Sequence, residues 1–201
     1  MRTDEYEMLY IGIDIGKSVD PAAIVIVGRL ERRLTLCYAE RLALGTPYPD
    51  LAEHVRWIAT HEKVRGRCAM AVDATGVGAP VVDMLRAGRM GCEIASVVIS
   101  GGEKTTSGSG NRWTVPKRDL LTGVQVLLQR GELRIAPTLK EAGTLVRELT
   151  NVRMTPGNGG AMRMGADGFG EHDDLVIALA LACWRAVRPQ NGFGTRRLPG
   201  I

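Results

Sequence analysis

The sequence contains neither a long apolar run nor a secretory signal. A helix that crosses a bilayer needs about 20 consecutive apolar residues, and no segment of the chain approaches that length. The first ten residues, MRTDEYEMLY, carry acidic side chains where a signal peptide would have a basic and then an apolar stretch. These absences argue against a membrane partner and predict a cytoplasmic protein.

Cysteine pairs and a nucleotide-binding loop are also missing. The four cysteines are far apart without a CxxC pair, which argues against a zinc knuckle and a disulfide framework and predicts reduced core cysteines. The stretch SGGEKTTSG resembles a phosphate-binding loop, but Val98 and Glu103 stand where the motif GxxxxGK[ST] requires glycine. The chain is therefore not expected to be an ATP-driven motor by itself.

What remains is the composition of a folded domain. The 201 residues are 45% hydrophobic and 24% charged, close to the average for globular proteins. We predict one compact domain over residues 1–188, followed by a flexible tail over residues 189–201 that is rich in glycine, proline and arginine. The net charge of +4 permits a nucleic-acid partner without requiring one.

The hydrophobic pattern predicts an α/β fold. The segments LYIGIDIG, AAIVIVG and RRLTLCYAERL indicate three consecutive antiparallel strands. From DLAEHVRWIATHEK onward, helix and strand patterns alternate, which is typical of parallel strands covered on both faces. We therefore expect a central mixed β-sheet, antiparallel in its first three strands and then parallel, flanked by α-helices. Residues 101–111 and 155–170 are predicted to be flexible, the second with AMRM as one arm of a hairpin.

Two aspartates stand among apolar residues at strand ends. Asp14 lies within YIGIDIG, and Asp73 ends the strand in AMAVDATG. An ionised carboxylate in such a place is costly unless a cation or hydrogen bonds compensate for it. The carboxyl ends of neighbouring parallel strands are where open α/β sheets form their sites. The alternative for each residue is a structural role in capping a turn.

A third polar group precedes an apolar helix. His172, Asp173 and Asp174 come directly before LVIALALACW, which contains no charge. Such a helix must be buried against the sheet, and its polar front then lies near the strand ends. One aspartate at a helix start is often only a cap, but two preceded by a histidine exceed that need. Carboxylates from two strands and one helix would form an oxygen-ligand site for Mg²⁺ or Mn²⁺.

Other polar residues have ordinary explanations beside functional ones. Asp20 in KSVDP can lie near the metal or form an Asp-Pro turn. His54 and His61 are interpreted as surface or interface residues of an amphipathic helix. Lys117 and Arg118 open a later helix and face either phosphates or solvent.

These segments together resemble the C-terminal nuclease domain of phage terminase large subunits, a branch of the ribonuclease H-like superfamily. The resemblance covers roughly residues 9–186. It is carried, in chain order, by GIDIGKSVDPAAIVIV, AVDATGVGAPVVDML, VPKRDLLTGVQVLLQRGELRIA, LVRELTNV and HDDLVIALALACW. Each segment alone is weakly specific, since GIDIG also occurs in actin-like kinases, but their order and spacing together are typical of the family.

The resemblance implies a nuclease site with two divalent cations, Mg²⁺ or Mn²⁺. Asp14 matches the carboxylate that bridges the two cations, Asp73 the ligand of the second strand, and Asp174 the ligand of the helix. Asp173 is implied as a further ligand or a neighbour of the ligands, and His172 as a residue that orients a water or contacts the leaving phosphate. One cation activates a water for in-line attack on the phosphodiester, and the other stabilises the departing 3′ oxygen.

The resemblance also implies DNA contacts and partners. Lys117, Arg118, Arg153 and Arg163 would contact phosphates of double-stranded DNA, which gives affinity without reading sequence. The segment at residues 155–170 matches a hairpin beside the active site of the family. The family cuts concatemeric viral DNA during genome packaging in the host cytoplasm, with a packaging ATPase, a small terminase and a portal. Without the ATPase, this chain is either an excised domain or a nuclease encoded separately from its motor.

Three alternatives stay open. A Holliday-junction resolvase of the same fold would use similar acids and act as a dimer. An actin-like sugar kinase or ATPase could use GIDIGKS as a phosphate loop, although that fold needs two domains and a longer chain. A nuclease-like module could also bind DNA or a partner without cutting.

Overall fold

The computed structural model of the chain describes residues 5–16, 20–76, 78–156, 162–166 and 173–188, with the backbone alone for residues 153–156 and 162–166. Three sets of residues that carry predictions lie outside the described residues: the tail at residues 189–201, His172, and residues 157–161 and 167–170 of the segment predicted to be flexible.

The centre of the fold is an eight-stranded mixed sheet. Its strands are β1 (Met8–Asp14), β2 (Ala23–Leu30), β3 (Arg33–Arg41), β4 (Cys68–Asp73), β5 (Glu93–Ser100), β6 (Thr106–Gly108), β7 (Arg112–Pro116) and β8 (Leu133–Ile135). They lie in the order β6, β7, β5, β4, β1, β2, β3, β8. Strands β1, β2 and β3 are antiparallel neighbours, whereas β4, β5 and β7 extend the sheet from β1 in parallel. The predicted mixed sheet, antiparallel at its start and parallel afterwards, is confirmed.

Helices cover both faces of the sheet. Those described are α1 (Tyr48–Thr60), α2 (Gly78–Ala87), α3 (Lys117–Gln129), α4 (Ala142–Asn151) and α5 (Asp174–Val187). Successive residues of a strand point to opposite faces, so the apolar strand β1 supplies both cores. Leu9, Ile11 and Ile13 pack with α1 and α2, and Tyr10 packs on the face covered by α3, α4 and α5. None of the helices described here is long and apolar enough to cross a membrane.

Helix α5 lies directly on the backbone of strand β1. Its residues from Asp174 to Ala186 are buried, as its lack of charge predicted. A Cβ atom added at Gly12 would lie only 1.9 Å from the carbonyl oxygen of Ala178 and 2.6 Å from the backbone nitrogen of Ala182. Glycine in the strand and alanine in the helix therefore allow a backbone approach that larger side chains would prevent. This contact fixes the front of α5 beside the end of β1.

A separate hairpin precedes helix α5. Strands β9 (Val152–Pro156) and β10 (Met162–Ala166) pair in antiparallel fashion, with Met164 opposite Met154. The predicted hairpin with residues of AMRM in one arm is confirmed in its backbone, and its first arm begins three residues before the predicted segment.

Two expectations from the sequence are wrong. The segment at residues 101–111, expected to be a flexible loop, contains strand β6, which pairs with β7 through Thr106–Gly108. This short, polar and exposed strand has no hydrophobic alternation that would reveal it.

Cys68 and Cys92, expected to be reduced, form a disulfide bond. They meet because Cys68 is the first residue of β4 and Cys92 directly precedes β5, and the two strands are adjacent and parallel. The two cysteines are 24 residues apart in sequence.

Candidate functional site

A cavity of about 350 Å³ lies where strands β1 and β4 end and helix α5 begins. Four of the aspartates singled out in the sequence line it, and we call it the acidic cavity: Asp14, Asp73, Asp173 and Asp174. Asp20 and Lys117 also line the cavity, together with uncharged residues of the strand ends. The fold thus brings together side chains that span 160 positions of the sequence, because parallel neighbouring strands end at one edge of a sheet.

Asp14 and Asp73 are held by the same local geometry. Each is the last residue of its strand, and each accepts a hydrogen bond from the backbone N–H two residues later. Gly16 N–H donates to Asp14 Oδ1 at 3.1 Å, and Thr75 N–H donates to Asp73 Oδ1 at 2.8 Å. The turn-capping role that the sequence left open is therefore present at both positions. It fixes one carboxylate oxygen of each residue while both side chains still line the cavity.

The two aspartates at the front of α5 have different surroundings. Asp173 stands at the N-cap position but makes no capping hydrogen bond through its side chain. Its Oδ2 instead lies 2.5 Å from the ammonium nitrogen of Lys117, the first residue of α3. Asp174 is the first residue of α5 and is only 4% exposed. Lys117 therefore enters the cavity as the partner of an aspartate.

The surroundings of Asp14 raise its pKa. The pKa of Asp14 is well above its ordinary value, first because burial disfavours the charged form and then because Asp73 is near. Asp174 and Asp173 act in the same direction, and the N–H of Gly16 opposes them. A cavity with this much clustered negative charge favours a proton or a cation.

Arg41 and Glu148, which the sequence analysis did not single out, lie next to Asp174 and the first turn of α5. Arg41, the last residue of β3, donates a hydrogen bond to Glu148 of α4, and its Nε lies 3.5 Å from Asp174 Oδ2. The other oxygen of Glu148 accepts the backbone N–H of Val176 at 3.3 Å. Burial raises the pKa of Glu148 to about 7, against the opposing effects of Arg41 and Val176 N–H.

One pattern in the sequence indicated that Glu148 has a buried partner. Ala142, Leu145 and Glu148 follow one another at helical spacing on α4, and all three are buried. A charged residue on the apolar face of a helix is unusual unless it has a partner. The identity of that partner could not be derived from local sequence, since Arg41 lies 107 positions away.

The remaining candidates are distributed more widely. Arg118 is about half exposed, lies 3.6 Å from Asp119 and does not line the cavity. Arg153 and Arg163 lie on β9 and β10, where only the backbone is described. His54 bonds to Glu40 at 2.8 Å and stacks near the exposed Trp57, which also contacts His61.

The donor set suits a hard divalent cation. Carboxylate oxygens are the ligands that Mg²⁺ and Mn²⁺ prefer, and five aspartates, Asp20 included, line the acidic cavity. Within the described part of the chain, no three histidine, cysteine, aspartate or glutamate side chains are grouped tightly enough to hold an ion as they stand. The residues fit such an ion by the chemistry of their side chains and because they line one cavity.

The fold is similar to those of solved terminase nucleases. The large terminase nuclease from thermophilic phage G20c with bound magnesium matches with a TM-score of 0.66 and 22% identity, over 90% of this chain and 84% of that chain. The large terminase nuclease domain from bacteriophage SPP1 with bound Mn matches with a TM-score of 0.56 and 18% identity, over 92% and 88%. The human cytomegalovirus terminase nuclease domain, Mn soaked and inhibitor bound, matches with a TM-score of 0.59 and 13% identity, over 92% and 85%.

No protein-family model and no curated protein sequence matches the chain. The structural likeness extends over about nine tenths of it. The resemblance that the sequence motifs suggested is thereby confirmed in the fold. The chain has the ribonuclease H-like α/β fold of the large terminase nuclease domains.

Proposed function

We propose that this chain is a divalent-metal-dependent endonuclease that hydrolyses phosphodiester bonds of double-stranded DNA. The observation that carries the proposal is the convergence of Asp14, Asp73 and Asp174 on one cavity, from the ends of two parallel strands and the start of a buried helix. The similarity to nuclease folds, among them two with bound magnesium or manganese, supports the same chemistry.

Asp14, Asp73 and Asp174 would hold two divalent cations, and Asp173 would be a further ligand or a neighbour of the ligands. When bound, the pair of cations supplies an activated water and stabilises the charge of the leaving oxygen. The backbone N–H groups of Gly16 and Thr75 keep the carboxylates of Asp14 and Asp73 oriented towards the cavity. Lys117 balances the charge of Asp173, and His172 would contact the leaving phosphate or orient a water.

The DNA would lie across the acidic cavity. Lys117 lines that cavity, and Arg118 follows it on α3 with an exposed side chain, so both suit contacts to phosphates. Arg153 and Arg163 belong to the hairpin β9–β10, which comes before α5 in the chain, and would contact DNA entering the site. These contacts are electrostatic and independent of base sequence.

The biological setting we propose is the cutting of concatemeric viral DNA during genome packaging. A packaging ATPase, as a domain or a subunit, would bring the DNA to the cavity, and a small terminase and a portal would complete the assembly. The sequence has no phosphate-binding loop of the kind that an ATP-driven motor uses, so the ATPase activity would come from that domain or subunit.

Digestion of supercoiled plasmid tests the proposal. The purified chain is incubated with Mg²⁺, Mn²⁺ or EDTA, beside Asp73→Asn, whose amide oxygen can still accept the N–H of Thr75. Asp83→Asn, an exposed position of α2, is the matched control. We expect metal-dependent nicking and linearisation by the wild type and by Asp83→Asn, and none by Asp73→Asn.

Cleavage that persists unchanged in Asp73→Asn would indicate a contaminating nuclease. A wild type that is folded by circular dichroism yet leaves plasmid and linear duplex intact with either metal would contradict the proposal. Preference for a four-way junction over plain duplex would favour a resolvase instead.

A further inference from the structure

The start of helix α5 is capped by a residue from another helix. The first N–H groups of a helix have no partner within it and need an external acceptor. Asp173 occupies the N-cap position but uses its carboxylate on Lys117. Glu148 of α4 takes over this function, since its Oε2 accepts the N–H of Val176, the third residue of α5.

The same glutamate is linked to Asp174 through Arg41. Arg41 donates to Glu148 Oε1 and places its Nε 3.5 Å from Asp174 Oδ2. The side chains of Glu148 and Asp174 are 7% and 6% exposed, and that of Arg41 is 24% exposed. Three largely buried charged groups from β3, α4 and α5 thus form one network behind the acidic cavity.

Neither Arg41 nor Glu148 lines the cavity. A buried ion pair contributes little net stability, because removing both charges from water offsets their attraction. An apolar pair at these positions could fill the space between β3, α4 and α5 without that desolvation. What an apolar pair could not do is accept the N–H of Val176 and restrain the carboxylate of Asp174.

We propose that Glu148 and Arg41 are positioning residues for the proposed metal site. Glu148 fixes the first turn of α5, and Arg41 restrains the carboxylate of Asp174, so that this carboxylate is held ready for a divalent cation. The inference rests on the proposed function, because Asp174 matters in this way only if it is a ligand. Partners that orient ligands change metal affinity or activity by about 10- to 100-fold when removed.

Three variants and one control separate positioning from stability. Glu148→Ala removes the cap and the partner of Arg41, Glu148→Gln keeps an oxygen for Val176 N–H, and Arg41→Leu removes the contact to Asp174. Glu93→Ala is the matched control, because Glu93 pairs with the buried Arg185 at 2.5 Å and does not line the cavity.

Binding of Mn²⁺ without DNA, measured by isothermal titration calorimetry, is the first measurement. Plasmid cleavage at varied Mn²⁺ and varied DNA is the second, and the melting temperature in EDTA is the third. We expect Glu148→Ala and Arg41→Leu to weaken Mn²⁺ binding by at least about tenfold, with lower kcat and unchanged KM for DNA. Glu148→Gln should lie between them and the wild type, and Glu93→Ala should bind Mn²⁺ as the wild type does even where its melting temperature falls.

The outcomes distinguish this inference from the proposed function. A wild type that binds Mn²⁺ but leaves DNA intact contradicts the proposed function alone, and the calorimetry of the variants still tests positioning. Variants that bind Mn²⁺ and cleave as the wild type does overturn the positioning role. So do variants whose Mn²⁺ affinity falls no further than that of Glu93→Ala at an equal loss of melting temperature. A wild type that binds no Mn²⁺ overturns it as well.

Discussion

The two ends of strand β4 are built in opposite ways. At its amino end, Cys68 is joined covalently to Cys92 beside the next strand. At its carboxyl end, Asp73 lines the acidic cavity, where the pKa of Asp14 is raised first by burial and then by Asp73, Asp174 and Asp173. One end of the strand restrains the chain, whereas the other gathers groups that repel one another. The disulfide and the core therefore contribute stability that offsets the repulsion between the carboxylates at the other end.

The largest effect is expected from neutralising a carboxylate of the acidic cavity. Asp14→Asn keeps an oxygen for the N–H of Gly16 but removes the charge that would hold the cations. Cleavage should fall by about 10³-fold, as it does when other enzymes lose a preorganised charge-stabilising group. The free energy of unfolding in EDTA should rise, since one of the crowded carboxylates is gone.

Denaturant unfolding measures the expected gain in stability, and plasmid cleavage measures the expected loss of activity. Asp83→Asn, on the exposed side of α2, should change neither quantity. Loss of both activity and stability in Asp14→Asn would contradict the claim that repulsion between the cavity carboxylates destabilises the fold.

Opening the disulfide should do the reverse at the other end of β4. Crosslinking across 24 residues is worth about 3 kcal/mol through the entropy of the unfolded chain. Cys68→Ser or a strong reductant should therefore lower the melting temperature while cleavage well below that temperature stays unchanged. Cys37→Ser, which removes a cysteine outside the disulfide, is the control. Equal melting with and without reductant would show that this end does not carry the stability assigned to it.

A substitution at Gly12 should couple the two effects. A Cβ at this position would meet the backbone of Ala178 and Ala182, and backbone cannot move aside as a flexible side chain can. Gly12→Ala should cost about 2 kcal/mol, within the range for overpacked cores, and should also reduce cleavage, because α5 carries Asp174. Gly123→Ala is a suitable control, since a Cβ there meets nothing within 4 Å. Unfolding in urea and cleavage at saturating metal would test both parts; a stability loss with full activity would show that α5 shifts without moving Asp174.

The groups that the sequence made predictable are those whose signals are local. Asp14 and Asp73 end apolar strands, and Asp174 begins an uncharged helix, so each stands out within ten residues of chain. The network of Arg41 and Glu148 depends on β3 and α4 meeting in space, and the disulfide depends on the alignment of β4 with β5. Pairings of this kind follow from strand order and register, which apolar patterns do not specify. Strand β6 escaped prediction for a different reason, because its three exposed polar residues pair only through their backbone.

The smallest expected effect is a dependence of stability on pH that the cation abolishes. The pKa of Glu148 is raised from 4.5 to about 7, and that of Asp14 is raised as well. Between pH 4.5 and about pH 7, the folded chain therefore binds more protons than the unfolded chain. Its free energy of unfolding falls as the pH rises through this range. In EDTA, the melting temperature should drop by a few degrees between pH 5 and pH 8, and Glu148→Gln should flatten the slope.

Mg²⁺ should counter this drop, because the cation replaces the protons on the cavity carboxylates and stabilises the folded state more as the pH rises. Calorimetric melting at matched ionic strength, with Mg²⁺ or with added NaCl, separates binding from screening. A wild type whose melting temperature rises from pH 5 to pH 8 in EDTA would mean that the carboxylates at this end of β4 are ionised without strain. The contrast with the disulfide end would then reduce to a difference in chemistry without a difference in stability.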